Sequence, residues 1–189
     1  MLLGRDEVAI SEAEAGLSLA PQSRLTASGL AQTLYLARRY HDAVAVCDAC
    51  LDRDDAYVFA VHLRGQCRQM LGDFDGAAHD MERAAMLTGR TPFYLALLGH
   101  CYGVGRRHAD AEQLLQQFQA MEAAAQYVPP HCYVYTLAGL GRPEEALAHQ
   151  ERAYEDGASP FNYLTPNIRG LFALEPGQRD RLRQMRLAL

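Results

Sequence analysis

Small and apolar residues return along this chain at an interval far longer than a helical turn. Ala43, Ala77, Ala111 and Ala146 follow one another at spacings of 34, 34 and 35 residues. Ala31, Gly65 and Gly99 keep the same 34-residue step, as do Cys47, Met81 and Leu115, and Cys50, Ala84 and Phe118. Such in-phase columns predict an array of like elements rather than one irregular core. The stretch Met121–Ala125 has high helix propensity, which predicts a long helix from about 108 to 126 that absorbs the one-residue insertion. Pro129-Pro130 then restarts the chain, as proline does at a helix N-terminus. Near the end, Leu182, Met185 and Leu189 share one face and Arg179, Arg183 and Arg186 another. This predicts an amphipathic helix over about 177–188 with a solvated arginine row.

The residues around the alanine column carry a family resemblance. Leu71-Gly72-Asp73-Phe74-Asp75-Gly76-Ala77-Ala78 is answered downstream by Leu140-Gly141-Arg142-Pro143-Glu144-Glu145-Ala146-Leu147. Weaker copies run from Arg38 to Val44 and from Gly105 to Ala111. In period and in these residues the chain resembles the tetratricopeptide repeat (TPR) family. The resemblance implies an all-α, right-handed α-solenoid of helix-turn-helix repeats with a C-terminal capping helix. It divides the chain into a partial or capping helix B at 1–23, repeats at 24–57, 58–91, 92–126 and 127–158, and a capping segment at 159–189. Small residues are needed where helices A and B approach to ~8–10 Å. Ala43, Gly65, Ala77, Gly99, Ala111 and Ala146 are therefore expected to be buried at helix contacts. No repeat has the tryptophan common early in helix A, and Gln150 stands where the other three repeats are apolar.

The two ends sharpen the resemblance. A helix B at the start without its helix A leads us to expect that the chain is the C-terminal piece of a longer protein. The run from Ala138 to Glu155, followed by Ser159-Pro160-Phe161-Asn162-Tyr163-Leu164, is similar to the TPR tails of bacterial multidomain regulators. Those regulators carry nucleotide cyclase, winged-helix or serine/threonine kinase domains. The paired Asp-Pro-Arg-Phe elements of such tails are missing here, with Asn167-Ile168-Arg169-Gly170 in place of one.

Composition narrows the partners. Net charge is −5, and all 18 basic residues are arginine. This argues against duplex nucleic acid and anionic membranes as partners. No apolar run reaches the ~18 residues of a membrane span. Five cysteines, an odd number, suit a reducing compartment, so a cytoplasmic location is expected.

Candidate chemistry is sparse. Cys47-Asp48-Ala49-Cys50 has the spacing of a redox pair or half a zinc site. Both cysteines fall within a helix and on apolar columns, and the other two zinc ligands are missing, so core packing is expected. His62, His100 and His131 fall on the helix A face of successive repeats, too far apart for one small ion; His41, His79, His108 and His149 are expected on exposed helix B faces or at turns. Gly103-Val104-Gly105 follows a helix and lacks the third glycine of a phosphate loop. We expect no enzyme, no metal and no cofactor.

In the TPR register the inner face is lined by Gln32, Tyr35, Phe59, His62, Gln66 and Gln69, and further along by Phe93, His100, His131 and Tyr135. The face is neutral, rich in amides and aromatic rings, and carries none of the cations of a chaperone carboxylate clamp. It suits a peptide or helix of low charge. The partner is expected to be another protein or an N-terminal domain of the same polypeptide. The alternative is a small-ligand sensor controlling a linked effector domain.

Overall fold

The computed structural model describes residues 6–155, and every regular element among them is an α-helix. The expected cap at 159–189, with its helix over 177–188, lies outside the described residues. The described residues form two compact units, divided between Gly89 and Arg90.

The first unit contains α1 (Asp6–Leu19), α2 (Arg24–Leu36), α3 (Tyr40–Leu51), α4 (Val58–Met70) and α5 (Phe74–Leu87). Each helix packs chiefly on the next, and α2 touches α4 only lightly. This is the nearest-neighbour stacking of a helical repeat. Ser23 caps α2 by accepting from the Thr26 amide, and Asp73 caps α5 by accepting from the Gly76 amide at 3.0 Å. The second unit contains α6 (Pro92–Val104), α7 (His108–Ala123), α8 (Pro130–Gly139) and α9 (Pro143–Glu155). Pro92 and Pro130 open α6 and α8, where the missing N–H costs no hydrogen bond.

All six small residues of the register are buried; the four alanines have no exposed surface. At Gly65 an added methyl would lie 3.1 Å from Asp80 Cβ and Met81 Cε, so α4 and α5 meet there at the limit of packing.

One turn recurs. Arg38, Gly72, Arg106 and Gly141 all adopt left-handed backbone, with φ of 63°, 84°, 62° and 69°. In each case the amide that follows returns to a carbonyl five residues back: Arg39 to Leu34, Asp73 to Arg68, Arg107 to Tyr102, and Arg142 to Leu137. These are Schellman closures, and they satisfy the orphan carbonyls at the end of the first helix of each repeat.

The helix α7 ends at Ala123, short of the expected 126. Pro130 and Pro129 each force the preceding residue into extended backbone. The chain must therefore leave the helix before Val128, which instead turns inward and is 3% exposed. Ala125 takes φ 58°, and the Gln126 amide returns to the Met121 carbonyl at 2.9 Å, the same closure used elsewhere.

The second unit departs from the pattern of the first. Here α8 packs mainly on α6 and α9 and only lightly on α7. Glycines cause this. A methyl on Gly99 would lie 2.6 Å from Thr136 Oγ1, and one on Gly103 would lie 2.6 Å from the Gly139 oxygen and the Leu140 nitrogen. A methyl on Gly139 would meet His100 Cα at 2.6 Å. At Gly103 and Gly139 backbone thus lies against backbone, and at Gly99 against the Thr136 side chain, closer than a methyl permits.

Candidate functional site

In the first unit the expected inner face is built by α2 and α4. Phe59, His62, Gln66 and Gln69 recur at three- and four-residue steps and so share one face of α4. The Phe59 and His62 rings meet edge to face at 5.0 Å, and Tyr57 lies 6.3 Å from Phe59. Arg24 sits over the Tyr57 ring at 5.2 Å, and the Tyr57 hydroxyl is 2.6 Å from Ser28 Oγ. His62 Nδ1 lies 3.2 Å from the Val58 carbonyl, which can only accept, so Nδ1 carries the proton. Burial lowers the His62 pKa to about 4, against the favourable carbonyl contact. The imidazole is therefore neutral at pH 7, and Phe59, His62, Gln66 and Gln69 together carry no charge.

The residues differ in accessibility. Tyr35 is fully buried and packs on Tyr40, so it belongs to the core and not to a face that a partner touches. Gln66 and Gln69 are each 7% exposed, while Gln32, Phe59 and His62 are half-buried. Gln66 makes no side-chain hydrogen bond among the described residues, and its carboxamide atoms are not sealed from solvent although the residue as a whole is 7% exposed.

In the second unit Phe93, His131 and Tyr135 form a triangle of rings 6.1–6.4 Å apart, each pair steeply inclined. His100, His131 and Tyr135 are buried and Phe93 is half-buried. Burial takes His100 down to about 4 and lowers His131 too. The rings of Phe93, His131 and Tyr135 thus pack on one another, and of these four residues Phe93 keeps the most exposed surface.

Sequence reasoning overlooked an ionic cluster behind the α4 face. Asp80 has no exposed surface and accepts from Arg64 Nε and Nη2 at 2.9 and 2.7 Å and from Arg68 Nη1 at 2.8 Å. Arg64 also reaches Asp48 at 2.7 Å, joining α3, α4 and α5. The signal was present: Asp80 stands on a column held elsewhere by Val46 and Leu114, with two arginines a turn apart on the facing helix.

His41, His79 and His108 are exposed as expected. His149 is not: it is half-buried and stacks on Tyr133 at 4.4 Å, with rings 7° from parallel. All five cysteines are buried thiols outside any disulfide. Burial raises the thiols of Cys47 and Cys50, and pushes Cys67 and Cys132 up to about 12, so none of these four is a ready nucleophile at neutral pH. Among the described residues no three His, Cys, Asp or Glu side chains are grouped to hold a metal ion, and no helix is long and apolar enough to cross a membrane.

No family model matches the chain, and no curated protein does. Among solved structures it is similar to a thermophilic TPR protein of Thermus thermophilus, with a TM-score of 0.64 and 19% identity over 98% of this chain and 93% of that one. At that identity the likeness establishes the fold: an all-α helical repeat of TPR type.

Proposed function

We propose that the chain is a protein-interaction module that receives a low-charge peptide or helix on the α2/α4 face, around Gln32, Phe59, His62, Gln66 and Gln69. The observation that carries this reading is Gln66. Its carboxamide makes no hydrogen bond to the described residues and still reaches solvent, so its donor and acceptor are open to a partner's backbone amide. The aromatic surface of Phe59 beside it offers apolar contact, and neutral His62 adds no charge for a partner to match. Burying a charged group there would cost desolvation with no counter-charge. The similarity of residues 138–164 to the tails of bacterial regulators supports a place within a larger regulatory protein.

The test is capture from native lysate by the wild type and by a Phe59→Ala/Gln66→Ala double variant, with unfolding curves confirming that both are folded. Specific partners should be lost with the variant, and wild-type capture should survive ~0.5 M salt, since screening weakens mainly charge-driven association. A folded double variant that retains every specific partner overturns the reading.

A further inference from the structure

Beyond the α2/α4 face, the geometry points to a separate binding site in the second unit: a notch between α7, α8 and α9 that takes an alkylguanidinium cation. The notch follows from the glycine seam. Because α8 is drawn onto α6, it meets α7 only lightly, and a cavity of about 180 Å³ opens on the flank of α8 turned toward α7 and α9. Leu115 and Leu137 supply apolar surface, and the stacked rings of Tyr133 and His149 form a wall. Gln119 and Glu122 on α7 add hydrogen-bonding groups.

Charge decides which ligand fits. Arg142 is the cation that lines the notch, and its Nε, Nη1 and Nη2 donors are already directed to Glu145 and Glu112. An added anion would have to displace those carboxylates. Glu122, by contrast, receives one hydrogen bond, from the Tyr133 hydroxyl to Oε2 at 3.0 Å. Oε1 receives none from the described residues. Burial and nearby Arg152 lower the His149 pKa, against Glu122 and Glu145, which raise it. Arg152 lines a neighbouring cavity of about 430 Å³ that shares Glu122 with the notch. Counting both arginines against Glu112, Glu122 and Glu145 leaves one negative charge in excess. A flat head with several N–H donors, weakly hydrated for a cation, matches one carboxylate oxygen and the Gln119 carbonyl, while a short stem covers Leu115 and Leu137.

The chemistry has two sources, a free alkylguanidine or an arginine side chain offered by a partner, and calorimetry on the full chain separates them. n-Butylguanidinium should bind at one saturable site, and its neutral isostere n-butylurea at least about tenfold more weakly. Glu122→Gln should weaken n-butylguanidinium by about tenfold, and Gln119→Glu, which adds a second carboxylate at an exposed position, should tighten it. In NMR titrations the His149 imidazole should show a lower pKa in the saturated protein, because an added positive charge disfavours the imidazolium. Tighter binding of N-acetylarginine amide than of n-butylguanidinium assigns the notch to a partner's side chain, and weaker binding assigns it to a free cation. Equal binding of n-butylurea, an absence of saturable binding, weakening by Gln119→Glu, or an unmoved His149 titration overturns the proposal.

Discussion

Replacing Gly103 by alanine tests the claim that backbone contact between α6 and α8 organises the second unit. The new methyl would lie 2.6 Å from the Gly139 oxygen and the Leu140 nitrogen, where ordinary contact begins at 3.4 Å. The Gly139 carbonyl carbon would be nearer still, so more than about 0.8 Å of separation must be found, and the obstructing atoms are main chain, which no rotamer change can move aside. Overpacking of this kind costs ~1–3 kcal/mol, set against a helix-propensity gain of up to ~1 kcal/mol for glycine to alanine. We expect a net loss of about 2 kcal/mol, a fall in melting temperature of about 4–8 °C for a chain of this length. Gly29→Ala in α2 is the control, since nothing lies within 4 Å of its added methyl. That variant should gain about 0.5–1 kcal/mol. Urea unfolding followed by far-UV circular dichroism measures both. A Gly103→Ala protein as stable as the wild type would refute the backbone seam.

Two further outcomes follow from buried ionisable groups. Asp80→Asn should cost about 2 kcal/mol in urea unfolding, below the ~3–5 kcal/mol typical of a broken buried pair, because Arg64 and Arg68 keep 14% and 28% of their side-chain surface exposed and can turn to water; an unchanged midpoint would show the cluster to be decorative. His62 and His100 sit at about 4 in the fold against 6.5 for the free imidazole, so the unfolded chain takes up protons first as pH falls. Stability should be complete above pH 6.5 and decline toward pH 4 by up to ~1.4 kcal/mol per unit for each histidine. A His62→Gln/His100→Gln variant should show a flatter decline, and parallel curves would contradict the burial of these rings.

The 34-residue period was enough to locate the buried alanines, because close helix approach tolerates only small side chains and a repeat demands that approach in every unit. Helices begin at Arg24, Val58 and Pro92, at the first three expected repeat starts, whereas the last begins at Pro130 and not at 127. Periodicity says which face a residue is on, but not what lies over it. Tyr35, His100, His131 and Tyr135 therefore read as groove residues and prove to be packed. The same limit hid the seam. Gly103 stands on a column with Tyr35 and Gln69, so its role rests on what Gly139 does on another helix, and no column records that. The end of α7 escapes for a different reason: local propensity favours continuing the helix, and the constraint imposed by Pro129 and Pro130 prevails.

The left-handed turn closing α2, α4, α6 and α8 falls to glycine twice and to arginine twice. A residue with a side chain in that conformation carries a penalty of ~1 kcal/mol that glycine avoids. The solenoid geometry thus dictates the local conformation, and residue identity only sets how comfortably it is held. Arg38 and Arg106 are exposed, and so mark places where the chain keeps thermodynamic headroom in reserve. Uneven tolerance of this kind gives a repetitive architecture individually tunable joints: its turns are alike in shape but unequal in strength.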